Sequence, residues 1–441
     1  MTASEQPTSR RADRRCQALL LVGFAVASLL HAGDWPQWRG PFLHGSAAAA
    51  TLPATWTLTE NLRWNVPLPG PGSSTPIVCG QRLFVTAVRS ADNTLLALCL
   101  DTRSGAVLWS QEAGASRSAN NNTMASPSAV TDGKLVCFTF GTARLLCYDL
   151  EGKAVWERDL EQEFGSNALM FGYSSSPLLH EGTLYLPVLR NLKADSYGAA
   201  AAPATPSYLI ALDLATGATR WRVERPCAAL GEAQEAYSTP VPLTRQGRTE
   251  ILVYGADRLS ACAAADGRET WSWEGYNPER VNHWRVVTTP VVGPDLVYVV
   301  APKYGPLYAL RPPAQDGAAA TLVWQHQKLT PDASTPLLYD GRLYVVHDNR
   351  RLLVCLDPAT GAVHWQGDLG GGGVIRASLT GAAGRIFALF EPGEVVVAKA
   401  GDAFAVLHRL QMGSYPARST LSVADEALFV RTADRLFCVG Q

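Results

Sequence analysis

One small frame recurs along the sequence and limits the folds open to it. It opens on a small polar residue and Pro, runs into a short apolar strand, turns on Gly into a second strand, and continues to a third strand ending in Asp. A turn containing Gly then leads to a fourth strand marked by Trp. The first full copy reads Ser74-Thr75-Pro76-Ile77-Val78, Gly80-Gln81-Arg82-Leu83-Phe84-Val85, Leu95 to Asp101, Gly105 and Trp109. Further copies run from Ser126-Pro127 to Trp156, Ser176-Pro177 to Trp221, Thr239-Pro240 to Trp271, Thr289-Pro290 to Trp324 and Thr335-Pro336 to Trp365. A seventh, from Ala377-Ser378 to about Leu407, has lost the Pro and the Trp. An eighth starts at Ser419 and stops after Leu436-Phe437-Cys438-Val439, without a fourth strand. A period of roughly 40–50 residues built from four strands is the signature of a propeller.

The missing strand lies at the other end of the sequence. Asn61-Leu62-Arg63-Trp64-Asn65-Val66 has the form of a Trp-bearing fourth strand and precedes the first full copy. Pairing it with the eighth copy removes the free edge between first and last blades. The expected fold is therefore all-β: an eight-bladed β-propeller of four-stranded antiparallel blades, closed by an N-terminal strand.

Repeat position assigns most of the conspicuous residues to structure. The Trp residues read as packing between blades, which cannot stand alone and must bury their faces against neighbours. The Gly four residues before each Trp (Gly105, Gly152, Gly217, Gly267, Gly361) occupies a turn that calls for positive φ. Cys99, Cys147, Cys262, Cys355 and Cys438 fall on the third strand just before the Asp position, which reads as a small buried core residue rather than a disulfide partner. Cys79, Cys137 and Cys227 stand outside that pattern.

Arg10, Arg11, Arg14 and Arg15, an apolar run from Ala18 to Leu30 and a cut near Ala32 read as a signal peptide, with the Sec route favoured over the twin-arginine one. Cys16 precedes the apolar run, so a lipoprotein anchor is not supported. The expected organisation is residues 1–32 signal peptide, 33–60 N-terminal cap or linker, and 61–441 propeller. The expected location is periplasmic or secreted, with no transmembrane domain after cleavage. The formal net charge is −1, and removal of the leader's two surplus positive charges takes it to −3. No basic stripe suggests a nucleic-acid partner. A monomer is expected.

The repeats carrying Leu-x-Ala/Cys-Leu-Asp-x-x-Thr-Gly-x-x-x-Trp, at Leu209 to Trp221 and again at Leu353 to Trp365, resemble those of the pyrroloquinoline-quinone-like (PQQ-like) propeller superfamily. The resemblance covers roughly residues 61 to 440. It takes in quinoprotein alcohol dehydrogenases and the BamB-type propeller of the outer-membrane assembly machine, and so implies a fold more than a function. Asp34-Trp35-Pro36-Gln37-Trp38-Arg39-Gly40-Pro41 resembles the opening of many exported members of the group, and its simplest role is an aromatic plug on the propeller.

The dehydrogenases of that superfamily carry an adjacent Cys-Cys pair, a Glu/Asn/Asp calcium set and an Asp base, and this sequence has no Cys-Cys pair. Nor does it contain a Cys-x-x-Cys-His haem attachment, a Gly-x-Ser-x-Gly elbow, a His-Glu-x-x-His helix or a Walker loop. His180-Glu181 begins like a zinc motif, but Leu184 stands where the second His is needed. The leading expectation is a non-catalytic binding or assembly propeller with no catalytic residue assigned. A quinone-dependent oxidoreductase using PQQ with calcium, and an unrecognised hydrolase or lyase, are the alternatives.

In a four-stranded meander the segments leading into the inner strands and the turns between second and third strands share one face, and the Gly turns share the other. The first face collects the irregular residues: Asn121, Tyr173, Glu235, Tyr237, His283, Trp284, Arg285, Lys303, His347, Asp348, Arg376 and Arg418. A concave surface with aromatic area and converging polar groups is where recognition is expected. On this expectation Trp284 stacks a planar ligand while Arg376 and Arg418 meet carboxylate or other anionic groups, so the funnel takes a small anionic or aromatic molecule or a protein loop. The structural alternatives are that Trp284 packs between blades and the arginines fix neighbouring loops. The excursion from Asn191 to Ser207, Ala/Pro/Gly-rich, is expected to be an exposed loop.

Overall fold

A computed structural model describes residues 1–2, 33–48, 51–118, 120–167, 169–191 and 206–441. The leader segment from residue 3 to 32, and residues 192–205 of the Asn191–Ser207 excursion, lie outside the described residues. The described residues form eight four-stranded antiparallel sheets, each a meander, arranged as the blades of a propeller. Blade 1 comprises Ile77–Cys79, Arg82–Arg89, Thr94–Asp101 and Val107–Ala115, from the axis outward.

The burial patterns show why the sequence takes this form. Second and third strands are sandwiched between neighbouring blades, so both faces are apolar; Leu83 to Val88 and Leu95 to Leu100 are continuously buried. Fourth strands lie at the edge of the disc and alternate instead, as in Val107–Ala115. The eighth blade is completed as its sequence requires. Ser422–Ala424, Ala427–Arg431 and Arg435–Val439 accept Leu62–Pro67 as the outer strand, with Trp64 opposite Cys438 and Val66 opposite Leu436. The first and last thirds of the sequence are thereby joined through one sheet.

Five of the seams between blades share one device. In each of them the outer-strand Trp lies against the Gly of the next blade's last turn and donates its indole N–H to a carbonyl of that turn. Trp64 reaches Thr102 O at 2.9 Å, Trp109 Leu150 O at 3.0 Å, Trp156 Leu214 O at 2.7 Å, Trp221 Ala264 O at 2.9 Å and Trp324 Pro358 O at 3.1 Å. A Cβ built on Gly105, Gly152, Gly217, Gly267 or Gly361 would meet the indole at 2.6–2.8 Å, and all five have positive φ. The glycine is thus required twice over, by the turn and by the ring above it. In the seven blades with a Trp on the outer strand, a small residue faces it across the sheet: Cys99, Cys147, Ala211, Ala261, Ala309, Cys355 and Cys438. Trp365 donates to Gly401 O at 2.8 Å but packs on Phe404 in place of a glycine, and the seam after blade 4 departs further because a longer turn replaces the Gly turn of blade 5. There Trp271 donates to Glu250 of its own blade at 2.8 Å, and Arg245 ties Glu250 to Asp316 of that turn.

Registers correct three details of the repeat frame read from the sequence. In blade 2 the residue equivalent to Thr75 is Ser128, not Ser126, since Val130 faces Cys137 as Ile77 faces Phe84; Pro127 stands two residues early. Cys262 lies one residue beyond the common cysteine position and faces Ile251, leaving Ala261 opposite the Trp. The seventh blade's outer strand runs to Gln411. All eight described cysteines are free, and all but Cys227 are buried.

Candidate functional site

The axis is lined by the residues that lead into the inner strands. The backbone N–H of Thr75 donates to the hydroxyl of Ser128 (3.0 Å), that of Ser128 to Ser176 (3.0 Å), Ser176 to Thr239 (3.2 Å) and Thr239 to Thr289 (2.9 Å). The belt continues from Thr289 to Thr335 and Thr335 to Ser378, both at 3.0 Å, and from Ser378 to Thr420 at 3.3 Å. A small polar residue is therefore needed at this position to link neighbouring blades. At the seam between blades 8 and 1 the fully buried Arg431 takes over, donating to the carbonyl and hydroxyl of Ser74.

Residues 33–48 close the channel at the glycine-turn face. Trp35 pairs with Val78 of blade 1, Pro36 O accepts from Thr131 of blade 2, and the Gln37 side chain accepts from Leu179 of blade 3. Arg39, 1% exposed, donates to Pro336 O of blade 6 at 2.6 Å and Leu379 O of blade 7 at 2.7 Å. Its terminal nitrogens donate to carbonyls and to no carboxylate, its Nε is buried without a partner, and burial lowers its pKa to about 9. Trp38 forms the floor of an axial well of about 160 Å³, whose wall is the hydroxyl belt.

Above the well the channel widens into a funnel of about 410 Å³ lined by Asn121, Phe171, Tyr237, Arg285, Arg376 and Arg418, together with Glu391 and Tyr415. Arg376 and Arg418 meet at one carboxylate oxygen of Glu391: their Nε atoms stand 3.3 and 2.5 Å from Oε1. Glu391 is buried, comes from the turn between second and third strands of blade 7, and sequence reasoning missed it. Neither guanidinium makes a hydrogen bond through its terminal nitrogens to a protein group among the described residues. Arg285 is held between Glu232 at 3.1 Å and Asp332 at 3.6 Å, and stacks on the ring of Phe171 at 4.9 Å.

The remaining rim residues divide between wall and interior. Glu235 is fully buried; it accepts from Tyr237 Oη at 2.7 Å and from Met170 N at 3.0 Å, so it braces Tyr237 instead of facing the funnel. Burial, reinforced by the Glu235 charge, raises the Tyr237 pKa. Tyr173 is also buried. Trp284 packs against the alanine cluster of Ala229, Ala233 and Ala256, away from the cavity lining, while His283 beside it is exposed. Lys303 and Tyr304 occupy successive left-handed positions, with φ of 53° and 63°, and Tyr304 stacks on His347 at 4.7 Å. The Lys303 N–H donates to Asp332.

Asp348 is a strongly perturbed carboxyl of this face. It is fully buried, and its Oδ2 accepts from the backbone N–H groups of Asp332 (3.1 Å) and Ala333 (2.9 Å). Its Oδ1 is buried without a hydrogen-bond partner. Burial, with a contribution from Asp332, pushes its pKa up to about 7 against the pull of the two N–H donors.

The sequence family described as "Outer membrane protein assembly factor BamB", a PQQ-like repeat family, matches residues 47–188, 198–320 and 314–439. The protein belongs to this family. Among solved structures, BamB from Moraxella catarrhalis aligns at a TM-score of 0.57 and 14% identity, covering 85% of this protein and 98% of that one. The quinohemoprotein alcohol dehydrogenase of Comamonas testosteroni aligns at 0.64 and 12% identity, covering 94% and 82%, and a europium-containing methanol dehydrogenase at 0.65 and 10%, covering 92% and 91%. At these identities the PQQ-like likeness is one of fold. A polyvinylalcohol dehydrogenase from a Pseudomonas species is 25% identical over 128 residues, 29% of this protein and 18% of that protein's length.

Several of these similar proteins are named as dehydrogenases, which raises the quinone and its calcium as occupants to test against the site. The funnel does not fit the metal. Its lining carboxylate, Glu391, is held by two arginines, and no group of three or more His, Cys, Asp or Glu among the described residues is placed to hold an ion.

Proposed function

We propose that this PQQ-like propeller is an exported, non-catalytic binding or assembly protein whose funnel mouth is its recognition surface. One observation carries the reading: the axial channel is closed at the glycine-turn face by Trp38 and its neighbours and opens through the funnel, so it is built as a receptacle. The match along 47–439 to a family described as an assembly factor agrees with it. Polar and charged groups fixed by buried partners, such as Tyr237 on Glu235, suit binding of a preorganised kind. The leader expected at residues 1–32 supports export to the periplasm or beyond; no helix among the described residues is long and apolar enough to cross a membrane.

The competing reading, a quinone-dependent dehydrogenase, draws on the named relatives and on Asp348, a buried carboxyl poised near neutral pH. A dye-reduction assay with added PQQ and calcium over a panel of alcohols separates the two. The binding reading expects no turnover above a protein-free control; quinone-dependent turnover lost in Asp348→Asn would overturn it.

A further inference from the structure

We infer that the axial well below the funnel is a carboxylate-binding subsite that receives the tip of a polypeptide ligand. Three observations converge on it. First, Ser128, Ser176, Thr239, Thr335, Ser378 and Thr420 line the well, and each hydroxyl already accepts a backbone N–H from the preceding blade; Thr335, for example, accepts from Thr289. None of the six donates its own O–H to another protein group among the described residues. A hydroxyl carries one donor and two acceptor sites, so a ring of engaged acceptors leaves a ring of available donors. Second, the well's lining contains no Asp or Glu, while Arg376 and Arg418 stand at its mouth. Third, Glu391 takes only the Nε of each guanidinium, which aims the pair without consuming the terminal nitrogens. Within the Arg376–Arg418–Glu391 trio, Glu391 balances one of the two guanidinium charges and leaves the other for an anion. Guanidinium groups in fixed orientation suit a planar carboxylate.

Size selects the rest of the ligand. A well of about 160 Å³ is smaller than the roughly 300–1,000 Å³ pockets that enclose whole small molecules. It holds the end of something larger whose body lies in the funnel of about 410 Å³ above. A carboxylate on a slender stem is either an Asp or Glu side chain or the free C-terminus of a polypeptide, and the two share this chemistry. The subsite rests on the funnel being a recognition surface, but it adds a claim that fails separately.

The test uses the full protein and ¹⁹F line broadening of trifluoroacetate, with trifluoroethanol as neutral control. Broadening of trifluoroacetate alone, reversed by unlabelled acetate, is expected. The charge-balanced triple variant Arg376→Gln/Arg418→Gln/Glu391→Gln should weaken it by about tenfold or more, the scale of losing a charge-assisted hydrogen bond. Arg376→Gln alone, on a 41% exposed side chain and with Arg418 still on Glu391, should weaken it measurably and serves if the triple variant does not fold. Displacement is then followed with a neutral peptide bearing a free C-terminus and with an amidated peptide bearing one Glu. Displacement by either supports the proposal and names the source. Absence of broadening, equal broadening in folded variants, or displacement by neither peptide overturns it. Partner capture through the funnel rim in any of those cases would leave the binding reading standing and remove only the well.

Discussion

The two faces of this disc are made by the same repeat and follow opposite rules. On the glycine-turn face five seams place Trp over Gly with an indole-to-carbonyl bond of 2.7–3.1 Å, and one seam can stand for another. On the funnel face, beyond the repeated hydroxyl belt, the loops of the blades differ from one another. Blade 6 contributes the buried Asp348, blade 7 supplies Glu391 to hold Arg376 and Arg418, and blade 4 supplies Glu235 to brace Tyr237. The glycine-turn face can repeat one seam five times because its task, docking one blade on the next, recurs around the ring. The funnel face has one task spread over eight blades, so each set of loops differs. Stability and recognition should therefore respond to mutation on opposite sides of the molecule.

The largest effect should come from opening the ring. Deleting residues 33–67 removes both the plug and the outer strand of blade 8, and should abolish the cooperative unfolding transition of the full-length protein in a calorimetric scan. An unchanged melting temperature would show that the closing strand contributes nothing. Next in size, Trp109→Ala removes a ring packed on Gly152 and should cost about 3–5 kcal/mol in denaturant unfolding, with no change in ligand affinity at the funnel. A cost under about 1 kcal/mol would break the claim that the seams carry the fold.

Asp348 should behave differently from any seam residue. Its pKa is raised from 3.8 to about 7 in the folded state, so the folded protein holds a proton that the unfolded state releases. Its contribution to stability then falls as pH rises from about 4 to about 7, and the full penalty stands above that range. Asp348→Asn keeps an acceptor for the two N–H groups and should gain over wild type by about 2–4 kcal/mol at pH 8, shrinking toward zero near pH 4. A pH-independent difference in urea unfolding would contradict this. Smaller still, Gly217→Ala forces a side chain onto φ of 70° and within 2.6 Å of Trp156, and should cost roughly 1–3 kcal/mol.

Much of the glycine-turn face was legible in the sequence, because its determinants recur at fixed spacing: the Trp, the Gly four residues before it and the closing strand with Trp64. Spacing alone does not show that each Gly sits beneath the Trp of the preceding blade, since that contact crosses a seam. A proline misplaced by two residues, Pro127, was enough to shift the frame of blade 2. The funnel was legible only as a set of candidates. That Arg376 and Arg418 converge on Glu391 depends on three loops folding toward one axis, and no local pattern marks a buried Glu in a turn. Trp284 has the composition of a ligand platform, yet the alanines at 229, 233 and 256 offer it a closer apolar surface.

The division between the faces can be tested in one experiment. A photo-crosslinking amino acid is placed at Asn121 on the funnel rim or at Glu151 on the glycine-turn face, both exposed, and intact cells of the host are irradiated. The binding account predicts a discrete crosslinked species from position 121, reduced in the Arg376→Gln/Arg418→Gln/Glu391→Gln background, and none from position 151. A discrete species from position 151 with none from position 121 would contradict it, placing recognition on the face assigned here to holding the ring together.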